Sequence, residues 1–333
     1  MKFFGAFVFV TLLNLVSVKA GPTPSVYLND SYFNYYAQEE FTECYITGLT
    51  SKAKNTRSLT ITSSVKDQST GKRYNVGGLM ADLTGAKATK ITIPSGHPCS
   101  FSIYDNVLKN AKYLKELKIA TSKEIYVYDN TFTGVNQDID ITGKGVNNMV
   151  KRYTKKYLQE NLPEFIQNYS NLSEYDTRIS LYNIAKIVKD YQINLSMAHG
   201  DNGAVALFLK QGSTLGINRA AYYFALASGF PEKDIIVAGD NLQHGFCLVN
   251  FNRKWYVYDA AKGHYNDREP WSFFQNINDY MEHTLNPYYG RLFKSDLNSF
   301  VVYRAKYGYS GEANPEKENL KQWLSKNNKG TLA

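Results

Sequence analysis

Cysteine and histidine are scarce in this chain, three and five in 333 residues. Cys44, Cys99 and Cys247 stand too far apart for a zinc motif, and no histidines show H-x3-H or HExxH spacing. No metal and no cofactor is therefore expected. Beyond the first twenty residues no apolar run is long enough to cross a bilayer, so no membrane span is expected either. Helix-turn-helix, zinc-finger and RNA-binding signatures are also missing. The net charge is +8, but lysines such as Lys109, Lys112 and Lys115 are scattered among apolar and acidic residues. They read as a solvated surface, and no nucleic-acid partner is expected.

Apolar material, by contrast, is abundant. With 43% hydrophobic and 14% aromatic residues the chain can bury one large core or two ordinary ones. Residues 1–20 read as a secretory signal peptide: Lys2, an apolar run from Phe3 to Val18, and Ala20 at a small-residue cleavage position. The alternative, a membrane anchor, is disfavoured because the run is short for a span and Asn14 interrupts it. Sequons at Asn29, Asn168, Asn171 and Asn194 fit a secreted, extracellular or cell-surface glycoprotein. An oxidising compartment permits one disulfide. Cys44 with Cys99 is the pair expected, since both lie in the N-terminal half and Cys247 sits in an apolar strand-like run.

Between Ser58 and Gly145 a pattern recurs: a strand with alternating apolar residues, a turn, then an aromatic or leucine followed by a small or polar residue. The strands are SLTIT from Ser58, KITIP from Lys90, ELKIA from Glu116 and DIDIT from Asp138, giving offsets of 32, 26 and 22. Such spacing predicts a solenoid in which each unit adds one strand to a parallel stack. An ordinary antiparallel β domain with coincidental spacing is the alternative. The stretches SVKDQSTGKRYNVGGL, KITIPSGHPCSFSIYDNVLKNAKYLKELKI and EIYVYDNTFTGV resemble BspA-like leucine-rich repeats over about a quarter of the chain. Residues 21–145 are read as this repeat region, with 21–55 capping its first apolar face.

From Asn147 the period becomes helical. Val150, Tyr153 and Tyr157 share one face, with Lys151, Arg152, Lys155 and Lys156 largely on the other. Ile184, Ile187, Val188 and Tyr191 form a second stripe, and Ile217, Ala220, Ala221 and Phe224 a third that stops before Gly229 and Pro231. Strands follow: DIIVAG from Asp234, GFCLVNF from Gly245 and WYVYDA from Trp255, the last two joined by Asn252, Arg253 and Lys254 as a hairpin. Residues 146–310 are read as one α+β domain, a helix packed on an antiparallel sheet. Residues 311–333 read as a charged terminal helix and tail.

Within that domain, QGSTLGINRAAYYFALASGF followed by LQHGFCLVNFNRKWYVYDAA resembles the core of the transglutaminase-like (papain-like) superfamily, from about Tyr182 to Ala261. The resemblance implies a Gly-x-Cys-x-Gly turn opening a helix, a histidine beginning a strand and an aspartate ending the next. The matching positions are Gly212, Thr214 and Gly216 for the turn, then His244 and Asp259, with Trp255 and Tyr256 as the preceding aromatic pair. A nucleophile at a helix N-terminus lies at the positive end of the dipole, which favours a thiolate. An imidazole held by a carboxylate can serve as its base. Thr214 departs from the pattern, because a threonine hydroxyl is a far weaker nucleophile and an internal threonine has no N-terminal amine to act as base. Ser213 is one residue out of register, and Cys247 lies three residues beyond His244.

Each residue also has a plainer reading. Ser213 or Thr214 can be a helix N-cap, His244 with Asp259 a structural hydrogen-bonded pair, and Cys247 a small buried apolar residue. The sequence thus leads to a secreted transglutaminase-like pseudoenzyme binding an extracellular protein, peptide or cell-wall component. The competing reading is an active acyl transferase or hydrolase using Thr214, His244 and Asp259. A surface protein in which only the repeats matter is a third. Secreted material is expected to begin near Gly21 and to lose apparent mass on glycosidase treatment. Intact mass analysis that finds Met1 retained on a membrane-bound form contradicts the first expectation, and an unchanged mass from a eukaryotic host contradicts the second.

Overall fold

Leu59, Ile91, Leu117 and Ile141 meet side by side on four neighbouring parallel strands. The computed structural model describes residues 24–109, 111–240, 244–261, 273–280, 282, 300–303, 317–327 and 331–332. The expected signal peptide lies outside the described residues, as does 304–316, which holds the boundary drawn at 310.

The described chain opens with β1 (Ser25–Asn29), β2 (Phe33–Gln38) and β3 (Glu43–Leu49), then a short helix, α1 (Ser51–Asn55). Eight strands follow: β4 (Ser58–Thr60), β5 (Ser64–Lys66), β6 (Arg73–Leu79), β7 (Lys90–Ile93), β8 (Phe101–Ile103), β9 (Glu116–Ile119), β10 (Ile125–Val127) and β11 (Asp140–Thr142). They stack as two ladders. One runs β11-β9-β7-β4, wholly parallel, and the other runs β1-β2-β3-β6-β8-β10, parallel from β3 onward, with β5 paired to β6. Period-two alternation sends Ile91, Ile93, Leu117 and Ile119 inward from the first ladder and Leu79, Ile103 and Val127 inward from the second, all buried.

The antiparallel alternative therefore does not hold, and the stack is the one the offsets predict. One strand differs from expectation: Asp140, not Asp138, pairs with Glu116. The last offset is thus 24 residues (140 − 116), because Ile139 belongs to the preceding turn. Residues 24–55 do more than cap, since β3 is itself a rung of the second ladder. The expected Cys44–Cys99 disulfide is not formed, and both are free thiols. Burial raises the Cys44 thiol to about 12 and raises that of Cys99 too, which suppresses the thiolate that exchange requires. Cys99 Sγ–H instead donates to the Val76 carbonyl at 3.7 Å.

Four helices come next, α2 (Val146–Asn161), α3 (Glu174–Lys186), α4 (Gly203–Leu209) and α5 (Thr214–Ala227), with the two-residue strands β12 (Gln192–Ile193) and β13 (Gln211–Gly212) between them. Val150 is buried and Tyr153 and Tyr157 half-buried on α2, while Lys151, Arg152, Lys155 and Lys156 are exposed as the stripe predicts. The apolar face expected around Ile184 runs past the end of α3, with Val188 buried in the following turn. On α5 the expectation of a single apolar face falls short. Burial extends from Thr214 to Ala225 all round, because α5 is enclosed by α2, α3, α4 and the sheet that follows.

That sheet is built from β14 (Ile235–Asp240), β15 (Gly245–Phe251) and β16 (Lys254–Tyr258), then α6 (Ile277–Tyr280), β17 (Phe300–Tyr303), β18 (Lys317–Asn319), α7 (Leu320–Asn327) and β19 (Thr331–Leu332). The strand order is β18-β17-β14-β15-β16-β19. The β15–β16 hairpin turns on Asn252 and Arg253, at φ 50° and 66°, the positive-φ pair of a two-residue turn, so Lys254 begins the strand instead of closing the loop. The C-terminal segment is more than the expected terminal helix and tail, for β18 and β19 pair with opposite sides of the sheet. Arg178 of α3 lies 4.3 Å from the Tyr256 ring and 4.6 Å from that of Phe251, clamping the helix to the hairpin.

The turn at 143–145 separates repeats from helices, yet the core runs across it. Phe132 of the last repeat stacks on Phe208 of α4 at 4.6 Å. Among the described residues no helix is long and apolar enough to cross a membrane. The stack generates a stability prediction. Ile119 is fully buried and stands opposite Ile93 in the ladder, so Ile119→Ala is expected to cost about 2–5 kcal/mol. Urea unfolding with an unchanged m-value measures it; a loss near zero contradicts a continuous core through the repeats.

Candidate functional site

The turn that opens α5 is set by its glycines. A Cβ on Gly216 would lie 2.0 Å from the Gly200 carbonyl oxygen, and one on Gly245 would lie 2.6 Å from Leu215 Cα. Only bare backbone lets the loop at 197–202 cross the helix start and lets β15 press against the first turn of α5. Ser213 is the N-cap: its Oγ accepts from Gly216 N–H at 3.2 Å and donates to Asp201, while its N–H donates to the Gly200 carbonyl at 3.0 Å. The plain capping role expected of Ser213 or Thr214 therefore falls to Ser213. Thr214 is the first helical residue, and its Oγ1 accepts from Gly245 N–H at 3.1 Å.

His244 immediately precedes that amide. Its Nε2 lies 2.9 Å from Asp259 Oδ2, at the end of β16. The structure thus brings Thr214, His244 and Asp259 to one place, and they are closed from solvent, at 5%, 2% and 6% exposure. An ionised carboxylate only accepts, so Nε2 carries the proton of this bond. Burial alone would raise the Asp259 carboxyl. The charge of His244, with hydrogen bonds from His244, Tyr280 and Asn218, outweighs burial and holds it down at about 2.

Two members of this network carry no signal in the sequence motif. The Tyr280 hydroxyl donates to Asp259 Oδ2 at 2.5 Å, and its oxygen lies 2.7 Å from His244 Nε2, so one phenol touches both members of the pair. Asn218 Nδ2 is within 3.0 Å of the Thr214 carbonyl and within 2.8 Å of both the Gly245 carbonyl and Asp259 Oδ1. Its Oδ1 accepts from Ala260 N–H at 2.7 Å. Asn218 lies one turn after Thr214, a polar residue inside an apolar helix, and that was its one legible trace. Tyr280 arrives from a segment 21 residues beyond Asp259 with nothing in its spacing to mark it.

The aromatic pair before Asp259 does not reach the site. Trp255 is buried against Trp323, 5.7 Å between ring centroids, and Tyr256 lies under Arg178. Cys247 points toward α5, its Sγ–H 3.4 Å from the Asn218 carbonyl, and complete burial pushes its thiol far up. It is a packed apolar residue, as its plainer reading had it. The loop crossing α5 is also tied to the repeats: Asn202, the cap of α4, donates to Asp140 Oδ1 at 2.9 Å and to the Ile141 carbonyl at 3.0 Å.

Compared with known proteins, the chain matches no family model and no curated protein. Among solved structures it is similar to a leucine-rich repeat protein from Bacteroides capillosus, at 15% identity and a TM-score of 0.28, covering 36% of this chain and 99% of that one.

Because the folded carboxyl of Asp259 titrates at about 2 against an ordinary 3.8, its contribution is present in full above the ordinary value and is lost as pH falls toward the folded one. Between about pH 5 and pH 2 the unmodified protein is expected to lose on the order of 2 kcal/mol more stability than Asp259→Asn. Urea midpoints across that range test this, and parallel acid limbs in the two proteins contradict it.

Proposed function

We propose that this is a secreted transglutaminase-like pseudoenzyme, an extracellular binding protein whose leucine-rich repeats supply a recognition surface. The observation that carries this reading is the state of Thr214. Its hydroxyl, at the position the superfamily gives to cysteine, accepts the Gly245 amide inside a closed site. A threonine hydroxyl needs a base to become a nucleophile, and a buried amide bond to its oxygen stabilises the side chain as a packing element. The pair that would activate it persists for a structural reason, since removing one partner of a buried hydrogen bond costs about 1–3 kcal/mol. Cys247 offers no substitute, because its sulfur is directed at the Asn218 carbonyl of α5 and its thiol is held protonated by burial.

The competing reading, an acyl transferase or hydrolase working through Thr214, His244 and Asp259, predicts a different outcome in the same experiment. Thr214→Cys, with Cys99→Ser and Cys247→Ala to remove two thiols and the third, Cys44, fully buried, creates a sulfur at the start of α5 facing the Gly245 N–H. That thiol is expected to titrate well below the ordinary cysteine value of about 8.5, and His244→Ala is expected to abolish the shift. Alkylation rate against pH measures both. A thiol near the ordinary value in both variants overturns the inherited-site reading. Amide or ester turnover by the unmodified protein, abolished by Thr214→Val, overturns the pseudoenzyme.

A further inference from the structure

The outward face of the six-strand ladder carries a feature that the closed site does not use. Strand register places Tyr27 opposite Tyr36, Tyr36 opposite Tyr45, Tyr45 opposite Gly78, Gly78 opposite Ser102 and Ser102 opposite Tyr126. One row spans all six strands. Tyr104 and Tyr128 flank it, two residues beyond Ser102 and Tyr126 and just past the ends of β8 and β10. Tyr27 and Tyr36 meet edge to face at 5.7 Å, Tyr45 and Tyr104 at 6.1 Å, and Tyr104 stacks on Tyr128 at 5.7 Å. The gap at Gly78 is built for this contact: a Cβ there would lie 3.1 Å from both the Tyr45 and the Tyr104 rings. With neighbouring strands about 4.8 Å apart, the row is roughly 25 Å long.

Burial locks the core side of these strands but not this side. Tyr27 is 78% exposed and the other five tyrosines are half-buried. The composition of the face decides what fits it. Between the rings stand Asn34, Gln38, Asn75 and Ser102, and Met80 at the margin is the aliphatic exception. A face meant for a lipid would be aliphatic, and a protein interface gathers its aromatic residues into a dry core with polar groups at the rim, whereas here Asn34, Gln38, Asn75 and Ser102 keep the face polar between its rings. Charge is mixed, with exposed Lys66 and Arg73 at the β5–β6 margin and the cations nearest the rings engaged. Arg152 of α2 covers the Tyr126 ring at 3.9 Å and pairs with Glu124 at 2.8 Å, and Lys156 covers Tyr128 at 4.8 Å. At the other side the Tyr45 hydroxyl reaches Glu43 Oε2 at 3.5 Å. An anionic polymer would need an excess of free cations on this surface. Phenols interleaved with small amides and hydroxyls complement a ligand that is amphipathic along its own length, with C–H faces edged by hydroxyl groups.

We propose that this tyrosine row is a binding platform for a neutral, extended polysaccharide. Sugar C–H faces lie on the rings, and sugar hydroxyls exchange hydrogen bonds with the phenols, Glu43, Asn75 and Ser102. The proposal rests on reading the chain as an extracellular binding protein, and it gives that protein a ligand class.

The test uses the full mature chain in cosedimentation with insoluble chitin, cellulose and β-1,3-glucan, competed by the corresponding hexasaccharides. Retention on at least one polymer is expected, released by the matching hexasaccharide and insensitive to added salt. Tyr27→Ser, Tyr36→Ser and Tyr45→Ser should each weaken retention about five- to tenfold, whereas Lys118→Ser on the opposite ladder should not change it. Tyr27 has so little buried surface that its variant keeps the fold, which a thermal melt checks, so the proposal stays open to refutation even if Tyr45→Ser unfolds. No retention on any of the three polymers overturns the proposal, as does salt-labile binding to heparin alone, or retention by folded Tyr27→Ser and Tyr36→Ser equal to that of the unmodified protein. Thr214→Cys is expected to bind like the unmodified protein. A failed polysaccharide assay and a failed pseudoenzyme reading therefore show themselves in different measurements.

Discussion

The approach of α5 to β15 governs the C-terminal half. Gly216 and Gly245 remove the side chains that would hold helix and strand apart, and Asn218 fills the resulting space with polar bonds. In so dry a place every polar atom must find a partner or cost about 1–3 kcal/mol. Asn218 satisfies the end of one strand, the start of its neighbour and the first turn of its own helix at once. Thr214, His244 and Asp259 are held in position by this bracket whether or not any chemistry passes through them.

The two halves of the chain present opposite surfaces to the world. The repeats hide aliphatic side chains between two ladders and show phenols, amides and hydroxyls outside. The helical part hides its polar cluster beneath a loop and an enclosed helix. They meet through Phe132 on Phe208 and through Asn202 on the last repeat strand. Asn202 also begins the helix that follows the loop over the start of α5, so the last repeat and the covering of the cluster share one residue.

What could be read from the sequence was what simple periods encode. Alternation at Ile91 and Ile93 and at Leu117 and Ile119 marked the strands, and their recurrence at a near-constant offset pointed to the parallel stack. The fourth rung was set two residues early because DIDIT alternates equally well from Asp138, and pairing to Glu116 decides the matter. Burial all around α5 was hidden, for alanines and tyrosines mark one face clearly and leave the enclosure of the other faces to tertiary packing. The positions of Thr214, His244 and Asp259 were legible as a spaced motif. Tyr280 was not, because its place beside Asp259 depends on a distant segment folding back. The tyrosine row is hidden in the sequence for a similar reason: Tyr27, Tyr36 and Tyr45 become neighbours only through the register of separate strands.

The pairing of β18 with β17 and of β19 with β16 carries a consequence for the order of assembly. Among the described residues the flanks of the sheet are completed late, β17 by β18 (Lys317–Asn319) and β16, whose Val257 N–H already donates to the Gln275 carbonyl, by β19 (Thr331–Leu332). The repeats, whose rungs pair mainly with neighbours in sequence, can fold as they emerge. Synthesis thus yields a finished solenoid attached to an unfinished sheet with sticky borders. The β17 border waits for residues 317–319 and the β16 border for 331–332, and an unpaired strand edge in that interval is a template for association with other chains.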